Sequence, residues 1–315
     1  MIRIKSNQSF FTVSRHDRNL FLLLLPTAVV VVGLLLITFL LISSRASEAV
    51  KTYGLSLYVT SAWDPERERY GLFVPLTGTL VTSAIAALTA LLLSLSLSIV
   101  VSEFLRGAVR NFLSTIIEFM SGLPTVIYAL WGVQYVAPVI RDYVMLPLHK
   151  YLGFIPLFAC EPLSGYSVLS AGLVIGISIV PYVTSLICES YMLVPTAYRE
   201  ACLGIGATRY ETTKILLGLC RPAVIAAVVL GLARAMGETT IAAALVGNSM
   251  TISYCVFMPS YTVSALIAAQ YGNAQLYMYA ESVLYSAALA ILILALVLSL
   301  TGLTLLSKWR SKILA

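Results

Sequence analysis

Leu20–Ile42 is a run of 23 residues without a single charge. At 1.5 Å per residue it makes a helix of about 34 Å, enough to cross the hydrocarbon of a bilayer. Comparable apolar stretches recur at 75–101, 112–139, 166–187, 222–245 and 283–306. With 59% hydrophobic and 11% charged residues and a mean hydropathy of +0.93, a soluble globular domain is excluded. In lipid each span must satisfy its own backbone, so the expected fold class is an all-α membrane protein with six transmembrane helices.

The net charge of +6 comes from basic residues gathered at span ends. Of the 20 Lys and Arg, 13 fall in segments assigned to the inner side. They are Arg3, Lys5, Arg15, Arg18, Arg106, Arg110, Arg199, Arg209, Lys214, Arg221, Lys308, Arg310 and Lys312. This asymmetry places both termini in the cytoplasm. No basic patch is interleaved with aromatics, so nucleic acid is not an expected partner. Residues 252–269 would pass as a span on hydropathy alone. A crossing there would carry the basic C-terminus to the wrong face, so the segment is read as partly embedded and returning to the outer side.

The N-terminal part, 1–62, comprises a basic cytoplasmic tail, the first helix and an external connector that begins at Ser43. The remainder, 63–315, holds five helices and a polar loop at 190–221. Pro124, with Gly122 before it, is expected to kink or unwind the third span, as a structural bend or as part of a pathway. Ser94, Ser96 and Ser98 suit close helix packing. The five cysteines stand singly and the two histidines are remote, so no metal site is expected. Cys160 and Cys255 both fall on the outer side, where a disulfide is open beside the alternative of free thiols.

The polar loop reads as two short helices with a glycine joint at Gly204 and Gly206. Thr196 is a plausible start for the first, and Thr208 with Glu211 has the form of a capping box for the second. Such a unit could dock in a groove on a partner or simply connect two spans. Arg199, Glu200, Ala201 and Cys202, followed by Gly206, resemble the Glu-Ala-Ala loop of binding-protein-dependent ABC importers. The resemblance implies a type I importer-permease (MetI-like) fold in which this loop is the coupling helix seated in a cytoplasmic ATPase. Cys202 stands in place of the second Ala, and Gly218 where the family has Pro; a turn is expected to survive at Gly218.

Arg234 lies 12 residues beyond Pro222 in an apolar run, about 18 Å along a helix and so near the bilayer midplane. Glu238 is four residues further and could pair with it on one face. Gly231 and Gly237 would let another helix approach closely. Each buried charge costs about 2.5–3.5 kcal/mol on insertion scales, so both demand a reason. One is an ion pair that locks helices. The other is an Arg234 fork that meets a passing oxyanion, with Glu238 orienting it.

The segment from Gly231 to Thr239, Gly-Leu-Ala-Arg-Ala-Met-Gly-Glu-Thr, is similar to a signature of phosphate-importer permeases, the Pst family. Trp63-Asp64-Pro65, Tyr70-Gly71, the stretch from Ser121 to Gly132, and Gly206 to Thr212 extend the similarity over about 63–270. The resemblance implies a role for Arg234 and Glu238 in translocation. It also implies a second permease subunit (PstA-like), a cytoplasmic ATPase dimer (PstB-like) holding ATP and Mg, and an external phosphate-binding protein (PstS-like). No Gly-Lys dipeptide occurs, so the chain lacks the loop that cradles nucleotide phosphates, and neither a cofactor nor catalysis is expected of it. Two rivals stay open: the same fold serving sulfate or molybdate, and a secondary transporter or channel working alone.

Overall fold

The computed structural model describes residues 15–314, with side chains from 23 to 313. Arg3 and Lys5 of the basic tail lie outside the described residues. Helix α1 spans Arg15–Tyr53 and α2 Ser56–Val59; α3 covers Phe73–Ile99 and runs on as a π turn to Phe104. α4 is Gly107–Ser121, followed by α5 (Thr125–Trp131), α6 (Ala137–Ile140) and α7 (Leu146–Leu152), joined by π turns into one rod. Next come α8 (Val168–Met192), α9 (Thr196–Gly204), α10 (Arg209–Met236) and α11 (Thr240–Leu245). α12 (Val263–Gln270) and α13 (Ala280–Leu314) complete the chain. No β-strand occurs among the described residues. Five helices are long and apolar enough to span, and a bent pair provides a sixth crossing if counted as one.

The core is the contact of α3 with α8, flanked by α10. It is built from small residues: a Cβ on Gly176 would fall 2.6 Å from Thr89 and 2.9 Å from the Ala86 carbonyl. Ser94 is buried and donates to the Val180 carbonyl at 3.1 Å, fastening the two helices where apolar packing alone confers little specificity in lipid. Gly231 does the same for α10, since a Cβ there would meet Val183 at 2.7 Å. Gly237 has no such neighbour; it ends α10 instead.

Four expectations are corrected. The connector assigned from Ser43 is helical as far as Tyr53, because Ser43–Tyr53 contains no breaker and Ala46 and Ala49 bury against the antiparallel α13. The third span, expected over 112–139, is two longer arms at 93°, Gly107–Ser121 and Thr125–Leu152, unwound between them at Pro124 as expected. Its second arm continues past Val139 and Arg141 to Leu152. The helix expected from Pro222 to Leu245 is shifted: it starts at Arg209, passes through Pro222 and stops at Met236. No turn forms at Gly218, whose carbonyl is the one a ring at Pro222 would press; without a side chain there, the backbone has room to yield. Residues 252–269 form a loop and then α12, and do not cross.

One end of the bundle gathers Glu103, α9 and the C-terminal part of α13, where the Trp309 indole donates to the Leu219 carbonyl at 2.8 Å. The opposite end gathers 54–72, 153–167 and 246–262. There, Ser167 bonds to Leu245 and Ser260 to Val246, so 246–262 returns to the end from which it left. Ser282 of α13 donates to Glu48 of α1 at 2.9 Å, which fits an antiparallel pair with the N-terminal end of α1 and the C-terminal end of α13 at the α9 end.

Candidate functional site

At the α9 end, Thr208 accepts from the Glu211 amide while the Glu211 carboxylate accepts from the Thr208 amide at 2.8 Å, completing the capping box. Gly206 has φ +83°, the left-handed region in which glycine is unstrained, and turns α9 onto α10. The joint is therefore as read, but the second helix is the start of the long α10 and not a short surface helix.

The residues of the loop divide by direction. Cys202 is buried, and its carbonyl accepts from the Ala207 amide at 3.0 Å. Arg199 turns inward: it donates 2.9 Å to one Glu103 oxygen and also contacts the other, which Tyr191 engages through its hydroxyl. Glu103 is only 8% exposed, against 40% for Arg199. Glu103 thus ties α9 to the end of α3. Sequence reading missed both Glu103 and Tyr191; an acid at the mouth of an apolar span, facing a loop rich in arginine, was the available signal. Glu200, Ala201 and Gly206 are exposed, and beside them Tyr198, Leu203, Ile205 and Tyr210 present apolar surface to solvent. A helix held from behind by an ion pair and showing an apolar front has the form of a docking element.

The second site is the end of α10. Ala223, Ala227, Leu230 and Arg234 recur at intervals of four, three and four and share one face. The first three are buried, yet Arg234 is exposed. The stripe that seals the helix against its neighbours therefore opens at Arg234. The opposite face carries Lys214, Gly218, Arg221 and exposed Ile225. No charge lies on α10 between Arg221 and Arg234, 13 residues or about 20 Å of helix, so the guanidinium stands deep in the apolar zone.

The expected pairing of Arg234 with Glu238 is not formed. Among the described residues neither makes an ion pair. The i,i+4 geometry requires helix through 238, but Gly237 caps α10 and Glu238 falls in the break before α11. The break is held by α12, whose Ser264 hydroxyl donates to the Glu238 carbonyl at 2.8 Å. Arg234 instead lies over the ring of Tyr182, 5.2 Å from its centroid, a contact absent from the sequence reading because Tyr182 sits on another helix.

Tyr182 belongs to a polar line on α8. Ser178, Tyr182, Ser185 and Glu189 follow at intervals of four, three and four, and none is fully buried. The two serines bond to carbonyls of their own helix, which satisfies them without closing the face. Ser185 and Glu189 also line a cleft of about 170 Å³ with Arg110 and Glu118. A polar track therefore leads from the α9 end toward Arg234. Pro124 caps α5 at the other break, where the Met120 carbonyl accepts from the Tyr128 hydroxyl at 3.1 Å and from the Leu123 amide at 3.3 Å. α5 and α11 pack together, so the two interruptions are neighbours.

Residues 94–310 match the family described as binding-protein-dependent transport system inner membrane component. The chain is 42% identical over 273 residues to a probable phosphate transport system permease protein PstC of Methanocaldococcus jannaschii, covering 85% of this chain and 87% of that one. It is 36% identical over 232 residues to the phosphate transport system permease protein PstC of Xylella fastidiosa, covering 72% and 71%. Its fold is similar to that of a chain of the MetNI methionine ABC transporter in an inward-facing conformation. That match has a TM-score of 0.55 at 13% identity, with 76% of this chain and 95% of that chain covered. The Glu-Ala-Ala-like loop, the broken helices and the family match thus agree: this chain is a multi-pass membrane permease of the binding-protein-dependent transport system inner membrane component family.

Proposed function

We propose that the chain is one permease subunit of an ATP-driven inorganic phosphate importer and forms half of its translocation pathway. The observation that carries this is Arg234: a guanidinium deep in the apolar zone, unpaired among the described residues, opening on a polar track. A planar fork of donors matches an oxyanion's geometry, and the names of the most similar relatives given above specify phosphate. Tyr182 positions the guanidinium while the pathway is empty. An anion drawing the fork off the ring would be held transiently, as conduction requires. Glu238, not bound to Arg234, would repel an anion, so its part is to change partner or to set the field at the break.

ATP and Mg would be held by a separate cytoplasmic ATPase dimer, docked on the exposed front of α9 around Glu200 and Ala201. A second permease subunit would complete the pathway, and an external binding protein would deliver phosphate at the opposite end. With α9 cytoplasmic, both termini are cytoplasmic as well. Reconstituted vesicles containing the complex test this directly: labelled phosphate should enter on ATP addition and be displaced by phosphate but not by sulfate. Equal displacement by sulfate would refute the substrate, and uptake without any ATPase would refute the class.

A further inference from the structure

The end of the bundle opposite α9 carries two cysteines that the transport reading does not use. Cys160 lies in the loop after α7, and Cys255 in the loop after α11, 95 positions later. The Cys160 amide donates to the Cys255 sulfur at 3.3 Å, which places that sulfur beside the backbone from which the Cys160 side chain springs. The two loops are registered around this point. The Val256 amide donates to the Leu157 carbonyl at 3.1 Å, and the rings of Phe158 and Phe257 stack at 5.5 Å. Ser253 completes the site, its hydroxyl accepting from the Cys255 amide at 3.0 Å and lying 3.9 Å from the Cys160 sulfur. Burial pushes the Cys160 thiol up, and the Cys255 thiol beside it pushes in the same direction. The other three cysteines lie elsewhere, at 188, 202 and 220, on or next to the α9 end.

We propose that Cys160 and Cys255 are a dithiol site that closes to a disulfide on the outer face of the membrane. The outer placement rests on the orientation argued under Proposed function, because only there is the compartment oxidising. The oxidant is a disulfide of the exchange class, either a small-molecule disulfide or a thiol–disulfide oxidoreductase. Cys160, the more exposed of the two, attacks as thiolate and expels one thiol of the oxidant. Cys255 then attacks the mixed disulfide and expels nothing but the second thiol. The oxidant gains two electrons and both protons, and the dithiol loses them. The product staples 153–166 to 251–258, the loop that forms one wall of a cavity of about 340 Å³ between the outer ends of α3 and α8. Cross-linking positions so far apart restricts the unfolded chain strongly, which favours the folded protein so long as the bond closes without strain.

The test uses the intact complex. Purified protein is exposed to oxidised glutathione, denatured, and alkylated with a polymer-tagged maleimide that adds a visible mass per free thiol. The wild-type chain should take three tags before reduction and five after. Cys160→Ser should take four with or without reduction, whereas Cys255→Ser, in which Cys160 lacks its resolving partner, should take three before reduction and four after, with one glutathione trapped. Five tags on the oxidised wild type would overturn the pairing. So would an intact-mass gain of glutathione on the oxidised wild type in place of the loss of two hydrogens, since that marks adducts and not a bridge. Sidedness is read separately. A membrane-impermeant maleimide on intact, reduced cells should label Cys160 in the Cys255→Ser variant. Labelling that needs permeabilised membranes would overturn the orientation while leaving the chemistry of pairing standing.

Discussion

Glu103→Gln should loosen α9 from the membrane part of the chain. The substitution keeps the size of the side chain and one carbonyl acceptor but removes the charge and the second oxygen. In the native protein the two carboxylate oxygens engage Arg199 twice and Tyr191 once. A fully buried pair broken on one side costs about 3–5 kcal/mol, and a surface pair about 0–1 kcal/mol. This pair lies between those limits, with Glu103 at 8% exposure and Arg199 at 40%. The expected cost is therefore about 1–3 kcal/mol, or a ~5- to ~150-fold shift in the docking equilibrium of α9. Hydrogen exchange of the purified complex reads this directly. Amides of α9 should exchange faster by that factor, while those of α3 and α8 should not change. On the proposed docking of α9 to the ATPase, hydrolysis should continue but with less phosphate moved per ATP, because a loose α9 transmits less motion. The double variant Glu103→Arg with Arg199→Glu, which restores opposite charges, should recover part of the protection. Unchanged exchange in α9 with normal uptake would refute the assignment of Glu103 as the anchor.

Arg234→Gln should lower phosphate uptake by ~10- to ~150-fold, the range for losing charge-assisted hydrogen bonds, with the ATPase still co-purifying. Loss of assembly instead would mean that Arg234 holds helices together. Since Arg234 and Glu238 are not paired, a double-mutant cycle on thermal stability should give a coupling of under ~0.5 kcal/mol. Glu200→Lys should abolish co-purification of the ATPase without changing the melting of the permease, as Glu200 is exposed and bonded to nothing described. Gly231→Leu should cost about 1–3 kcal/mol and lower the melting temperature, because even its Cβ would meet Val183 at 2.7 Å.

What could be read from sequence was what depends on near neighbours. The capping box needs only Thr208 and Glu211, and both hydrogen bonds are present. The positive φ at Gly206 follows from one residue. The span lengths follow from charge-free runs. What could not be read was any partner set by the fold: Glu103 reaches Arg199 across 96 positions, and Tyr182 reaches Arg234 from another helix. Helix boundaries misled for a related reason. Hydropathy starts a span where charge stops, at Pro222, whereas backbone hydrogen bonding starts it at the cap, Thr208. Gly237 read as a packing glycine because it stands, like Gly231, within a stretch long enough to cross; only the break after it reveals a terminus.

That break changes the meaning of the charged pair. Were α10 continuous through Glu238, Arg234 would have a carboxylate one turn away, and a passing anion would have to compete with it. Ending the helix at Met236 leaves the guanidinium with a ring face as its only described partner. A cation–π contact is worth roughly 0.5–2 kcal/mol, less than a charge-assisted bond to an oxyanion at about 1.5–3 kcal/mol. The exchange from ring to anion is then favourable, and the return is not prohibitive. Breaking a helix in lipid would ordinarily cost several kcal/mol for each freed carbonyl, but the Ser264 hydroxyl meets the one at Glu238, and at the other break the Met120 carbonyl keeps the Leu123 amide and gains the Tyr128 hydroxyl. Two interrupted helices packed side by side thus keep one arginine available deep in the membrane.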